Sequence, residues 1–333
     1  MHDFFMKGCL RPHDDSMKVE QPSPPLTRPT MPERPIAPRP VRRFRVLLAT
    51  LGFTAAAVAQ AQGAPSTDLY VAPIQTVNGQ RTIGPVEQIT RRRGYDNQPA
   101  YAANGDVVYY TSQRDGHTDI HSYNLRNGAS RPLFVAPTTD EYSAALTPDR
   151  QALSVIRVEA DSSQRLWRFP LDGSDPMVLL PGIKPVGYHA WATDSTVLLF
   201  VLGQPATLQL ANVRTGQSTV IARGIGRWLA RAPGRAVIGV VRKPADATAM
   251  LAEFDIAIGT LRDRAPAMAG TDDYAWLPDG TILGAKGSAL FQLAPGAREW
   301  IMVTDLAPQR ITGITRMVVH PNGQELVFVA NER

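Results

Sequence analysis

The stretch QPAYAANGDVVYYTSQRDGHTDIHSYNL, residues 98–125, carries the pattern that organises the whole chain. A short apolar and aromatic segment, Pro99-Ala100-Tyr101, leads to a turn at Asn104-Gly105, and a β-branched and aromatic run follows from Val107 to Thr111. Asp115-Gly116 marks the next turn, and Ile120 and Leu125 mark a third apolar run. Asn-Gly and Asp-Gly flanked by such runs are hairpin signals, because the favoured two-residue turn needs positive φ at its central positions. The same arrangement recurs at Pro148-Asp149, Thr193-Asp194, Pro233-Gly234, Pro278-Asp279-Gly280 and Pro321-Asn322-Gly323. With Asn104, Asp149, Asp194, Gly234, Asp279 and Asn322 as register marks, the spacings are 45, 45, 40, 45 and 43 residues.

A further turn follows each of the first four marks, at Asn127-Gly128, Asp172-Gly173, Thr215-Gly216 and Ile258-Gly259, with Pro295-Gly296 arriving earlier in the fifth unit. Paired apolar positions precede these turns: Ile120 and Leu125, Leu166 and Leu171, Leu208 and Val213, Leu251 and Ile256. Four strands in a repeat of this length make a propeller blade. The sixth unit ends at Asn331-Glu332-Arg333 after two strands, while Asp68 to Ile74 repeats the third-strand pattern, Asn78-Gly79 the following turn, and Pro85 to Thr90 a fourth strand. The expected fold is therefore all-β: a six-bladed β-propeller with four-stranded antiparallel blades, closed by N-terminal strands joining the C-terminal blade. Closure removes sheet edges that would otherwise pair with other chains.

Residues 1–40 are rich in proline between Pro22 and Pro40 and show no apolar periodicity, so a disordered leader is expected. Residues 41–61 hold Arg42, Arg43 and Arg45, an apolar run from Val46 to Ala59, then Ala59-Gln60-Ala61, the order of a secretory signal cleaved near Ala61. The run is shorter than the roughly 20 residues needed to span a bilayer, so no membrane span is expected after cleavage. Residues 62–333 are expected to form the single propeller, a periplasmic monomer. The leader carries nine Lys or Arg against five Asp or Glu, and the remainder 26 against 25. The high isoelectric point is thus a leader property, and nucleic acid is not an expected partner. The lone Cys9 also lies in the leader, which leaves the propeller without a disulfide, a thiol nucleophile or a Cys-ligated metal.

Residues 98–125 resemble the WD-repeat-like unit of TolB-type periplasmic propellers: a P-x-W-S-P-D-G-like turn, a β run, S-x-x-D-G, then D-I-Y and an apolar residue. The resemblance covers nearly all of residues 65–333 and is clearest in the first and fifth units. It implies a periplasmic, non-catalytic propeller that binds an envelope protein or a small ligand. One departure is the short segment ahead of Gln98, where TolB-type proteins carry an α/β domain.

In this fold the first strand of each blade lines the central channel, with the register turns at one end. The opposite rim then gathers Tyr95-Asp96-Asn97, Asp140-Glu141-Tyr142, Gly187-Tyr188-His189, Gly226-Arg227-Trp228, Asp272-Asp273-Tyr274 and Thr312 to Thr315. From these, Tyr95, Asn97, Glu141, Tyr142, Tyr188, His189, Arg227, Asp272, Asp273 and Tyr274 are the expected binding residues, since loops on a rigid scaffold carry recognition. His189, Arg227 and Asp272 or Asp273 would make an anion or carboxylate site tuned by histidine titration. As an alternative, His189, Arg227 and Asp273 would serve a lyase- or cyclase-type enzyme acting on an envelope polysaccharide or peptide. No nucleophile elbow G-x-S-x-G is present. His117, His121, His189 and His320 fall on different parts of the ring, so neither a metal nor a cofactor is expected. Arg91-Arg92-Arg93 reads as a solvated connection, and Trp167, Trp191, Trp276, Tyr101 and Tyr109 as blade packing.

Overall fold

The computed structural model describes residues 66–332 except Gly79 and Val135; the segments expected as proline-rich leader and secretory signal, with Cys9, lie outside the described residues. The chain enters through β1 (Thr67–Val77), β2 (Gln80–Ile83) and β3 (Glu87–Gln88). The first complete blade is β4 (Asp96–Tyr101), β5 (Val107–Arg114), β6 (His117–Asn124) and β7 (Ser130–Phe134), followed by β8 (Asp140–Leu146), β9 (Ala152–Val158), β10 (Gln164–Pro170) and β11 (Met177–Val178). The third comprises β12 (Val186–Trp191), β13 (Thr196–Val201), β14 (Thr207–Asn212) and β15 (Ser218–Arg223), and the fourth β16 (Ile225–Arg231), β17 (Val237–Arg242), β18 (Met250–Asp255) and β19 (Thr260–Pro266). The fifth is β20 (Tyr274–Trp276), β21 (Ile282–Lys286), β22 (Ala289–Leu293) and β23 (Ile301–Asp305), and the last repeat supplies β24 (Thr315–Val319) and β25 (Glu325–Asn331). Each complete blade is an antiparallel meander in sequence order, and the sixth sheet runs β24-β25-β1-β2 with β3 also on β1. The six-bladed propeller is thus closed from both chain ends. Among the described residues no helix is long and apolar enough to cross a membrane.

Closure rests on seven consecutive pairs, from Thr67 opposite Asn331 to Pro73 opposite Glu325. Alternation along β1 supplies two cores at once, since successive strand residues face opposite sides of a sheet. Tyr70, Ala72 and Ile74 join Leu326, Phe328 and Ala330 in the cluster against the fifth blade, where the Tyr70 and Phe328 rings stack at 5.6 Å. Leu69 joins Val327 and Val329 in the cluster against Val108 and Tyr110 of the first blade. Elsewhere the apolar clusters likewise lie between neighbouring blades. At the register-turn end, Tyr101 donates to the Glu325 carboxylate at 2.8 Å, a second tie between the first and last blades.

Three features differ from expectation. The closing blade's outer strand is split: β2 pairs with Ile74 to Val77, β3 pairs with Tyr70 and Val71, and Gly84 and Pro85 separate them. Pro85 has no N–H to continue a ladder, so the expected strand over 85–90 shrinks to Glu87–Gln88. The inner strands also begin before the apolar segments that signal them. Asp96, Asn97, Asp140, Glu141, Tyr142, Tyr188, His189 and Arg227 are strand residues and not loop residues. Likewise, Arg92 is no merely solvated residue: its guanidinium donates to Asp96 at 3.0 Å and Ser112 at 2.8 Å, because the buried Asp96 carboxylate requires a partner.

Deleting residues 68–90 is expected to give aggregated protein by size-exclusion chromatography, because β25 becomes an exposed edge. Leu69→Ala should fold but lose roughly 2–5 kcal/mol in urea unfolding, as for other large-to-small changes at fully buried sites. A soluble, cooperatively unfolding deletion would show that the ring does not depend on this pairing.

Candidate functional site

Five of the six inner strands interrupt their pairing with the second strand at the same level. The irregularities fall between Asn97 and Ala100, Tyr142 and Ala145, Val186 and Tyr188, Ile225 and Leu229, and Thr315 and Met317. A bulge breaks the alternation of a strand and re-aims a side chain. Gln98, Ser143 and Arg316 hold φ of 55°, 54° and 39° there, and each lies six residues before its register mark. Tyr188, Trp228 and Asp273 occupy the same offset in the other three repeats. All six line one cavity of about 260 Å³ in the channel, joined by Arg227 and His189.

The charged groups lining this cavity are Arg227, Arg316 and Asp273. Asp273 is buried and receives Arg227 in a two-pronged pair, Nε to Oδ1 at 3.1 Å and Nη2 to Oδ2 at 2.5 Å. Arg316 Nε stands 3.5 Å from the same Oδ1. Its Nη2 donates to the Tyr188 hydroxyl at 2.7 Å, and its guanidinium lies 4.8 Å from the centre of the Tyr188 ring. Two guanidiniums against one carboxylate leave a net positive charge. Burial pushes the Tyr95 phenol up to about 12, outweighing the opposite pull of Arg316 and Arg227. It remains a protonated donor at neutral pH.

The other expected residues sort by what holds them. Asp272 accepts from Lys243 Nζ at 2.5 Å, a neutral pair beside the cluster. Asn97 is buried and committed to Thr67 Oγ1 at 3.3 Å and the Gln98 backbone N–H at 2.8 Å. Glu141 is fully buried and paired with Arg157 at 2.8 Å, away from the cavity lining. Tyr142 reaches Thr118 Oγ1 at 3.2 Å and packs between blades. Tyr274 lines the cavity, but its hydroxyl accepts from the Met268 N–H at 3.0 Å and its ring stacks on Trp300. Among the described residues, no three His, Cys, Asp or Glu side chains form a group that could hold a metal.

His189 does not join the ion-pair cluster. Its Nε2 lies 2.6 Å from Ser154 Oγ, which also accepts from Trp191 Nε1 at 2.9 Å. Burial lowers its pKa to about 4, so it is a neutral part of the channel wall. Arg316 takes the place expected for it. Arg316 lies one residue beyond the sixth-repeat rim expected at 312–315; counting six residues back from every register mark places it with Tyr188 and Asp273.

No protein-family model matches the chain, and no curated protein matches its sequence. Among solved structures, a putative TolB from Agrobacterium tumefaciens is similar at 10% identity and a TM-score of 0.61, covering 80% of this chain and 99% of that one. TolB from Acinetobacter baumannii matches at 11% identity and a TM-score of 0.52, over 79% of this chain. The chain spans 64% of that protein's length. A gluconolactonase from Xanthomonas campestris matches at 12% identity and a TM-score of 0.56, covering 80% of this chain and 96% of that one. The likeness is one of fold: the chain has a TolB-like propeller fold. The same comparison includes an enzyme, so function has to be argued from the site.

The histidines set a pH dependence of stability. Burial holds His189 and His121 each at about 4, against 6.5 for a free imidazole. The unfolded chain therefore takes up protons below about 6.5 that the folded protein refuses until about 4, and stability falls as pH drops through that window. One such group contributes at most about 1.4 kcal/mol per pH unit. Urea unfolding of His189→Gln at pH 7, 5.5 and 4.5 should show a shallower loss than the parent; parallel losses would mean that His189 protonates freely in the fold.

Proposed function

We propose that this chain is an exported, TolB-like envelope propeller that binds a protein or small ligand at its channel mouth and catalyses no reaction of its own. The observation that carries this reading is the convergence of Tyr188, Arg227, Asp273 and Arg316, from four separate blades, on one cavity. No blade alone could assemble them, and the closed ring keeps them in place, as recognition on a rigid scaffold requires. The order of arginines, apolar run and small residues over 41–61 supports export to the periplasm.

A lyase- or cyclase-type reaction has less support. Its expected base, His189, has Nε2 committed to Ser154 and a pKa near 4, far below the range suited to a general base at neutral pH. Arg227 and Asp273 are committed largely to each other.

The test is a tagged pull-down from the protein's own envelope fraction, comparing the parent with the double variant Tyr188→Ala, Arg316→Ala. A component retained by the parent should be reduced at least tenfold with the variant, while circular dichroism and melting temperature report a folded ring. Equal retention by both would remove the mouth as the binding surface.

A further inference from the structure

Resting on the reading that the channel mouth binds, we infer that its ligand presents a carboxylate, gripped by the free Nη1 edges of Arg227 and Arg316. A guanidinium carries five N–H donors on three nitrogens. Arg227 commits Nε and Nη2 to Asp273. Arg316 commits Nη2 to Tyr188, and its Nε faces Asp273 at 3.5 Å. Among the described residues, neither Nη1 makes a hydrogen bond. Donors on both guanidiniums thus remain unused, and both residues line the same cavity.

Charge selects the class of acceptor. The cavity lining holds two guanidiniums and one carboxylate, and Arg316 has only 17% of its side chain exposed. A partly buried cation without a counter-charge is costly. A second carboxylate makes two cations for two anions. A phosphate dianion overshoots, and a neutral ligand leaves the excess charge unrelieved. Of the acids beside the cluster, Asp272 is paired with Lys243 and Glu141 with Arg157, while Glu325 accepts from Tyr101 at the register-turn end. Tyr95 and Tyr142 add only neutral phenols at physiological pH.

Geometry agrees. The planar guanidinium fork suits the two oxygens of a carboxylate, and contact with the Tyr188 ring at 4.8 Å together with the hydrogen bond to its hydroxyl holds Arg316 in position. Two buried polar atoms without a protein partner, Trp228 Nε1 and His189 Nδ1, belong to residues lining the same cavity. Such atoms call for water or a polar ligand. A volume of about 260 Å³ admits a small carboxylic acid or the last residues of a peptide, and the shared chemistry is the carboxylate.

Calorimetric titration of the full chain with four probes tests this: acetate, trialanine with a free carboxylate, trialanine amide and inorganic phosphate. Saturable binding of acetate or trialanine is expected, with trialanine amide at least tenfold weaker than trialanine and phosphate weaker than either carboxylate. Trialanine much tighter than acetate would point to a chain end, and comparable affinities to a small acid. Arg316→Gln should weaken the carboxylate at least tenfold; the acid-against-amide comparison decides the matter on the parent even if that variant does not fold. No saturable carboxylate binding, equal binding of acid and amide, or preference for phosphate would overturn the inference. Partner retention in the pull-down is a separate readout: if it depends on Tyr188 and Arg316 while carboxylates fail to bind, the binding role stands and the ligand class falls.

Discussion

Pairing of β1 with β25 is the constraint on which the rest depends. It joins residues more than 250 positions apart in the chain and buries Leu69 and Tyr70 on opposite faces of the same strand. Each face packs against a different neighbouring blade, so one strand secures two interblade cores. Without it, β25 would present an open edge between the fifth blade and the first. The cost of bringing distant ends together grows only slowly with the length of the intervening chain, and the burial of Leu69 and Tyr70 on opposite faces of β1 offsets it.

The channel inherits its character from that closure. Tyr188, Arg227 and Arg316 belong to the inner strands of three blades and Asp273 immediately precedes that of the blade between, and Arg316 sits on β24, whose own partner is β25. The site therefore depends on the same strand that closes the ring. Bulges do part of the remaining work: in five of the six blades the inner strand slips against the second strand at the level of the cavity, and a bulge re-aims a side chain there. Asp273 reaches the cavity from just ahead of a regularly paired strand.

Much of this was legible in the chain. The register marks and their spacing specified the blade count, and the incomplete sixth repeat together with Asp68 to Ile74 specified the closure. Both are local signals, since turn residues and alternating apolar runs act through nearby backbone geometry. Tyr188, Arg227 and Asp273 were reached by the same register argument. Arg316 and Gln98 lie at the same offset from their register marks, but that they face the cavity was not legible, because a bulge changes which face a residue occupies without leaving a fixed residue type behind. The partners of His189 and Glu141 were not legible either: a polar residue near a rim looks available until Ser154 and Arg157 arrive from β9.

By itself the sequence determined the architecture: strand order, blade number, and which ends must meet. Those follow from periodicity, a property of neighbouring residues. The tertiary structure alone decided which polar side chains share the cavity, which are neutralised in pairs, and where a cation is left in excess. That outcome turns on distances of a few ångströms between residues up to 128 positions apart, as with Arg316 and Tyr188, and Coulomb and hydrogen-bond energies at such distances depend on burial and direction that no local pattern encodes.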